Sequence, residues 1–176
     1  MMQARLGAVF LAATLAFAAA PRAHSAATLT DPQIAHIAYT AGVIDIKAAN
    51  LALKKSKNKD VIAFAKNMVS DHQAVNDKAL ALVKKLKVTP QDNDTSKALV
   101  KEANAEAAKL GKLKGAAFDK AYAANELAYH KTVNHALEAT LIPNAKNPEL
   151  KDLLSTGLKI FEGHQEHAAM LVDELK

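Results

Sequence analysis

Apolar residues recur at intervals of three and four along most of the chain, which is the spacing of one face of an α-helix. Four long stretches carry this pattern, and they are rich in Ala, Leu and Lys, which are good helix formers. No stretch shows the two-residue alternation of a half-buried β-strand. The pattern therefore predicts an all-α fold.

Capping residues and prolines set the expected helix boundaries. The first and last helices each start with Asp or Asn as N-cap and a proline at the first helical position, and Pro143 stops the third. The four predicted helices begin at Asp31, about Lys59, about Ala116 and Asn147, and end within the polar run 54–60, at about Lys87, at about Ile142 and close to Lys176.

The lengths of the connections predict the topology. The turns around Asn58 and Asn144 are short, whereas about 27 residues (88–114) join the two helix pairs. This long connection contains a weaker helical pattern with capping residues at Asp94 or Thr95. Short–long–short connectivity is typical of ferritin-like bundles, where one long crossover carries the chain back along the bundle. We therefore predict a ferritin-like four-helix bundle with a short extra helix in its crossover.

The N-terminal segment has a different composition from the rest of the chain. Arg5 precedes an apolar run of 15 residues, Leu6–Ala20, and small residues follow as far as Ala27. This is the layout of a secretory signal peptide, and the run is too short to span a bilayer. We predict a signal peptide over 1–27 and a mature domain over 28–176 in the periplasm or cell envelope. An uncleaved membrane anchor is the alternative.

The charge of the mature domain bears on its partners. Cleavage removes both arginines and lowers the formal net charge from +5 to +3, so that the remaining 21 basic residues are all lysines. Arginine and aromatic side chains dominate base and phosphate recognition, and the chain has no Trp. We therefore expect no nucleic-acid partner, at most weak contact with anionic envelope components, and no stable membrane insertion after cleavage. The sequence identifies no protein partner.

An ionisable side chain interrupts the apolar stripe of every long helix. If the crossover returns the third helix to the end where the first two are joined, these side chains lie at similar heights, at about 1.5 Å per residue. A buried polar group without a partner costs roughly 1–3 kcal/mol, so that several in one layer must satisfy each other or a guest. The five residues are Asp45, His72, Glu126, His130 and His164.

Two hypotheses account for this polar layer. In the first, the three imidazoles and one or two carboxylates bind a single Mn, Fe, Zn or Cu ion, for metal handling or stress protection. A di-iron site is disfavoured, because such bundles use Glu-x-x-His on two helices and the second helix has none. In the second, the layer is a closed hydrogen-bond network that pairs His72 with Asp45 and His164 with Glu126, capped by a tyrosine. The protein would then be a non-enzymatic envelope interaction module.

Other chemistry is largely excluded. The chain has no cysteine, which removes disulfides, thiolate ligands and cysteine nucleophiles. No nucleophilic triad, phosphate-binding loop or zinc-protease motif is present, so that no catalytic or cofactor-binding residue is assigned, and a redox activity on the same scaffold is a weaker hypothesis. His36, His135 and His167 lie off the apolar stripes, and we expect them to be solvated.

Several segments resemble the bacterial family called domain of unknown function 4142. These are FAKNMVSDH at 64–72, FDKAY at 118–122, His130 and FEGHQEHAAML at 161–171, and the resemblance covers about 31–176. It implies an exported protein with a ferritin-like bundle, of the kind often labelled as outer-membrane proteins, although the chain has no outer-membrane strand pattern. Members of the family often carry Glu at the place of Asp45, so that the carboxylate here is shorter.

The small residues before Thr28 generate a prediction about export. We expect the exported protein to begin between Ala26 and Thr28, because signal peptidase cleaves after small residues. Intact-mass measurement of protein from the cell envelope checks this, and a mass that retains Met1 would show an uncleaved anchor instead.

Overall fold

The computed structural model describes residues 29–176, and the predicted signal peptide lies outside this range. The prediction of an all-α bundle is confirmed for the described residues. No helix within 29–176 combines the length and apolarity that crossing a bilayer requires. The elements are α1 Asp31–Lys55, α2 Lys59–Lys85, α3 Asp94–Lys112, α4 Gly115–Ala136, a π turn Leu137–Leu141, α5 Ile142–Asn144 and α6 Pro148–Glu174.

The crossover helix α3 returns the chain along α1. Just before α3 begins, the Gln91 amide donates to the carbonyl of Pro32 at 3.0 Å. At its other end, Lys55 Nζ donates to the carbonyl of Gly111 at 2.7 Å. The 19 residues of α3 thus run parallel to α1 and deliver α4 to the end of the bundle where α1 and α2 are joined. This is the connectivity predicted from the loop lengths.

The N-caps of α1 and α3 each lie earlier than predicted. Thr30 caps α1. The backbone amide and the hydroxyl of Thr30 donate to Gln33 Oε1 at 3.0 Å and 3.1 Å. Asn93 caps α3, and its Oδ1 accepts from the Ser96 amide at 3.0 Å. Asp31 is therefore the first residue of α1 and is free to bind elsewhere. Neighbouring polar residues compete for the cap position, and Thr30 and Asn93 occupy it here in place of the predicted residues.

The helical region that includes α4 extends past its predicted end. A π turn, Leu137–Leu141, follows α4, and Pro143 then lies in the first turn of α5 rather than stopping the helix. Proline is tolerated there because the first amides of a helical segment have no partner within it. The prediction that Pro143 ends the helix was therefore wrong by two residues.

A polar layer at mid-height divides the core into two apolar clusters. The first cluster lies at the α1–α2 turn and includes Phe64, Met68, Phe118, Tyr122 and Leu171. The second cluster lies at the opposite end, around the π turn, and its members are Ile34, Ala35, Ile37, Leu137, Leu141, Ala145, Leu150, Leu154 and Phe161. Each long helix passes from one cluster to the other through the layer.

Asp31 joins the start of α1 to the turn before α6. Its two carboxylate oxygens accept hydrogen bonds from the backbone amides of Lys146 (2.7 Å) and Asn147 (2.8 Å). Hydrogen bonds to charged groups contribute more than neutral ones, so that we expect Asp31→Ala to lower the free energy of unfolding by roughly 2–4 kcal/mol. Urea unfolding measures this. Asp94→Ala, which removes an exposed carboxylate from the first turn of α3, is the control, and an equal loss in both variants would contradict the role of Asp31.

Candidate metal centre

The structure brings all five predicted residues together. Each is at least nine-tenths buried, with exposed fractions of 1% for Asp45, 3% for His72 and 6% for His164. They come from all four long helices. They meet at one height because α4 starts at the same end of the bundle as α2. Glu126 and His130 are one helical turn apart, so that both face the centre.

The carboxylate of Asp45 is the meeting point of two imidazoles. Its Oδ2 lies 3.4 Å from His72 Nε2 and 3.4 Å from His130 Nε2. Two ligand atoms of a tetrahedral ion with metal–ligand distances of about 2.1 Å lie about 3.4 Å apart, so that this spacing suits coordination. Ligand atoms of Asp45, Glu126 and His130 form one group in which all lie within 4.8 Å of one another.

The three imidazoles form a compact triangle. The ring centroids are 5.7 Å apart for His72 and His130, 5.3 Å for His72 and His164, and 5.4 Å for His130 and His164. One nitrogen from each ring lies within 4.8 Å of the others. Phe161 stacks on His72 with centroids 4.4 Å apart and planes 8° from parallel, which fixes that ring from the side of the second apolar cluster.

Hydrogen bonds orient two of the rings so that each keeps one nitrogen free. His130 Nδ1 lies 2.9 Å from the backbone carbonyl of Glu126, which can only accept, so that Nδ1 carries the proton and Nε2 presents a lone pair. His164 Nε2 lies 3.0 Å from Asp71 Oδ2, so that Nδ1 of the same ring points to the interior. Histidines that bind metals are commonly held in this way, with the second nitrogen donating to a carbonyl or carboxylate.

The closed network of the second hypothesis is present only in part, since His72 Nε2 lies 3.4 Å from Asp45 Oδ2 as that hypothesis pairs them, but its other pairing is absent. His164 pairs with Asp71 rather than Glu126, and the Tyr129 hydroxyl donates to the Ala41 carbonyl at 2.9 Å, outside the layer. Many of the buried polar atoms have no hydrogen-bond partner among the described residues. They include both oxygens of Asp45, both ring nitrogens of His72, the Tyr122 hydroxyl, Glu126 Oε2, His130 Nε2 and His164 Nδ1.

Burial makes the charged forms of these groups unfavourable. Desolvation raises the pKa of Asp45 from 3.8 to about 8 and that of Glu126 well above 4.5, with the neighbouring Asp45 adding to the effect. Desolvation lowers the pKa of His72 to about 2 and that of His130 to about 4. Burial also lowers the pKa of His164, which the hydrogen bond and charge of Asp71 partly offset. Without metal, the layer is therefore uncharged near neutral pH.

Two contacts of the site were not predicted from the sequence. Asp71 precedes His72, so that helical geometry points it about 100° away from the centre, and its partner His164 lies 93 residues further along the chain. Phe161 belongs to an apolar stripe, which does not reveal that it stacks on an imidazole. His36 and His167, both expected to be solvated, are half-buried, and His167 packs edge-on against Phe64, with ring centroids 5.1 Å apart.

Comparison with known proteins assigns the chain to a family. The family model described as a domain of unknown function (DUF4142) matches residues 16–171. The chain belongs to this family. The match confirms the resemblance read from the sequence motifs. None of the curated proteins compared with the chain matches it.

A solved structure shares the fold of this DUF4142 chain. CopM in the Cu(II)-bound form superimposes on it with a TM-score of 0.64 at 12% sequence identity, covering 85% of this chain and 99% of that chain. At this identity the likeness establishes the helical fold alone. The binding role of the five residues stays a prediction.

The raised pKa of Asp45 predicts how stability depends on pH. In metal-free protein, folded Asp45 holds a proton between pH 3.8 and about 8 that the unfolded chain has released. The contribution of this bound proton to the free energy of unfolding is complete below pH 3.8 and is lost as the pH rises through 8. The histidines, with lowered pKa values, contribute a constant amount above pH 6.5. We expect the free energy of unfolding to fall between pH 6.5 and 8, by up to about 1.4 kcal/mol per pH unit.

Urea unfolding of chelator-treated protein across this range tests the assignment. Asp45→Asn keeps the size and polarity of the side chain but cannot ionise, so that the decline should become shallower. Asp94→Asn changes an exposed carboxylate on α3 and should keep the wild-type slope. Parallel slopes in wild type and Asp45→Asn would show that Asp45 does not hold the proton.

Proposed function

We propose that this DUF4142 chain is an exported protein of the periplasm or cell envelope that binds one transition-metal ion in the core of its bundle. The role that this supports is metal handling, by sequestering or carrying an ion. The signal-peptide pattern of residues 1–27 supports the compartment.

One observation carries the proposal, namely the set of buried ligand atoms without partners. A buried polar group left unsatisfied costs roughly 1–3 kcal/mol, and folded proteins satisfy the great majority of such groups. Here lone pairs of the three histidines and of Asp45 and Glu126 converge on one layer. These atoms fall into two three-residue groups that share His130, and a cation held by either group satisfies several of them at once.

The ligand types favour a borderline transition metal. Imidazole suits Zn, Cu, Fe and Ni, and the absence of thiolates makes a site specific for Cu(I) less suitable. For mixed nitrogen and oxygen ligands, affinity among divalent ions is highest for Cu(II). The structural neighbour CopM is a Cu(II)-bound protein with the same fold, which adds support for this choice. We therefore propose Cu(II) as the ion of highest affinity, ahead of Zn, Fe and Mn.

The residues around the ion would have distinct tasks. His72, His130 and His164 would bind it through their unprotonated nitrogens, which are available because burial keeps these rings neutral. Asp45 and Glu126 would supply negative charge after losing their protons, so that binding is expected to release protons and to tighten as the pH rises towards 8. Bound Cu(II) would provide a positive charge that offsets the desolvation of these carboxylates.

Thermal unfolding with and without metal tests the proposal. An ion at a hundredfold excess over its dissociation constant stabilises the folded state by about 2.7 kcal/mol, which raises the melting temperature by roughly 5–11 °C for a domain of this size. We expect this rise for untagged wild type with Cu(II), and smaller rises at equal concentration with Zn, Fe and Mn. His72→Ala should abolish it.

His135→Ala is the matched control, because it removes an exposed imidazole from the last turn of α4. It should keep the full metal-dependent rise. If no ion raises the melting temperature of wild type, the layer is a structural network and the alternative of an envelope interaction module stands. If an ion does raise it, elemental analysis of protein purified from the native envelope identifies the ion that the cell supplies.

A further inference from the structure

An apolar cavity extends into the bundle beside the polar layer. Its volume is about 290 Å³, and it extends from the layer into the second apolar cluster. Native cores are packed as densely as organic crystals and contain few voids larger than a water molecule. A cavity of this size is therefore a departure from ordinary packing. An apolar cavity of roughly 150 Å³ in another protein stays dry and binds benzene, which shows what such a space can hold.

The walls of the cavity are mainly aliphatic. They come from α1, α2, α3, α4, the π turn and α6, and the π turn contributes Leu137, Thr140 and Leu141. π turns change the direction of side chains within a helix and are frequent at functional sites. The other large apolar lining residues include Ile37, Val75, Leu82, Val133, Leu150 and Leu154.

The two ends of the cavity differ. At the inner end it is bounded by His72, Asn76, Tyr129 and His130, so that it adjoins the candidate metal centre. Three other lining residues, Thr95, Thr132 and Thr140, are exposed. The cavity therefore reaches solvent at its outer side.

The charge of the lining restricts the class of ligand. Among the described lining residues there is no Lys, Arg, Asp or Glu. An anionic head group within the cavity would lose its hydration without meeting a cation, which is strongly unfavourable. Imidazole, amide and phenol groups at the inner end suit a neutral hydroxyl or carbonyl.

We propose that this cavity is a binding site for an uncharged aliphatic molecule, whose chain fills the space between α1, α2, α4 and α6 and whose polar end lies against His72 and Asn76. The cavity adjoins the metal centre and shares His72 and His130 with it, but its aliphatic part does not depend on the ion being bound. Failure of the metal proposal would therefore leave this one standing, and the reverse also holds.

Titration with a series of 1-alkanols tests the proposal. Chelator-treated protein in its exported form is titrated calorimetrically with 1-hexanol, 1-octanol and 1-decanol, and with octanoate for comparison. We expect affinity to increase about fourfold for each added methylene while it is buried, and to stop increasing when the chain exceeds the cavity. 1-Octanol should bind at least tenfold more tightly than octanoate. Octanoate binding as tightly as 1-octanol would overturn the assignment to uncharged ligands.

Paired alanine substitutions locate the ligand. Ala79 and Ala136 line the cavity and are half-buried, so that the variant A79L/A136L should fill it, weaken 1-octanol binding more than tenfold and raise the melting temperature. Ala81 and Ala128 lie on the same two helices but are exposed, and A81L/A128L should bind as wild type does.

If the filled variant does not fold, A79L alone supplies the comparison with A81L. Equal 1-octanol binding by the filled variant and wild type would place the ligand elsewhere and overturn the proposal. Absence of 1-alkanol binding up to the solubility limit would overturn it as well.

Discussion

The desolvation of ionisable groups at mid-height is the constraint on which the structure of this protein depends. Five such side chains lie between the two apolar clusters of the core, and each cluster buries one end of the bundle. Replacing the layer with aliphatic residues would join the clusters into one continuous core. The layer is therefore costly for folding alone, which is the reason for attributing a ligand to it.

The crossover helix makes the layer possible. Asp45 and His72 are close because α1 and α2 form an antiparallel pair, and His130 and His164 are close because α4 and α6 do. The two pairs meet at one height only because α3 runs back along α1 before α4 begins. An up-down bundle with a short middle loop would start α4 at the opposite end and change which of its residues face Asp45.

Much of this arrangement was predictable from the sequence, because periodicity and loop length are local properties. Four apolar stripes are interrupted by ionisable residues, and these residues were predicted to share a layer if they lie at equal heights along the bundle. They are Asp45, His72, Glu126, His130 and His164. The features that escaped prediction depend on tertiary packing. The hydrogen bond of Asp71 to His164 and the cavity both arise from the exact spacing of helices, which a one-dimensional pattern does not contain. The caps of α1 and α3 were displaced because neighbouring polar residues compete for the same position.

The division of the chain into two helical hairpins has a consequence for folding kinetics. Each hairpin is held by contacts between residues close in sequence, which form quickly, whereas docking one hairpin on the other closes a long loop and is expected to be slower. Neither hairpin contains the whole ligand set, since the first supplies Asp45 and His72 and the second supplies the rest. Before the hairpins dock, each can therefore offer an ion only two or three of the five donors, and the complete set forms only when the hairpins associate.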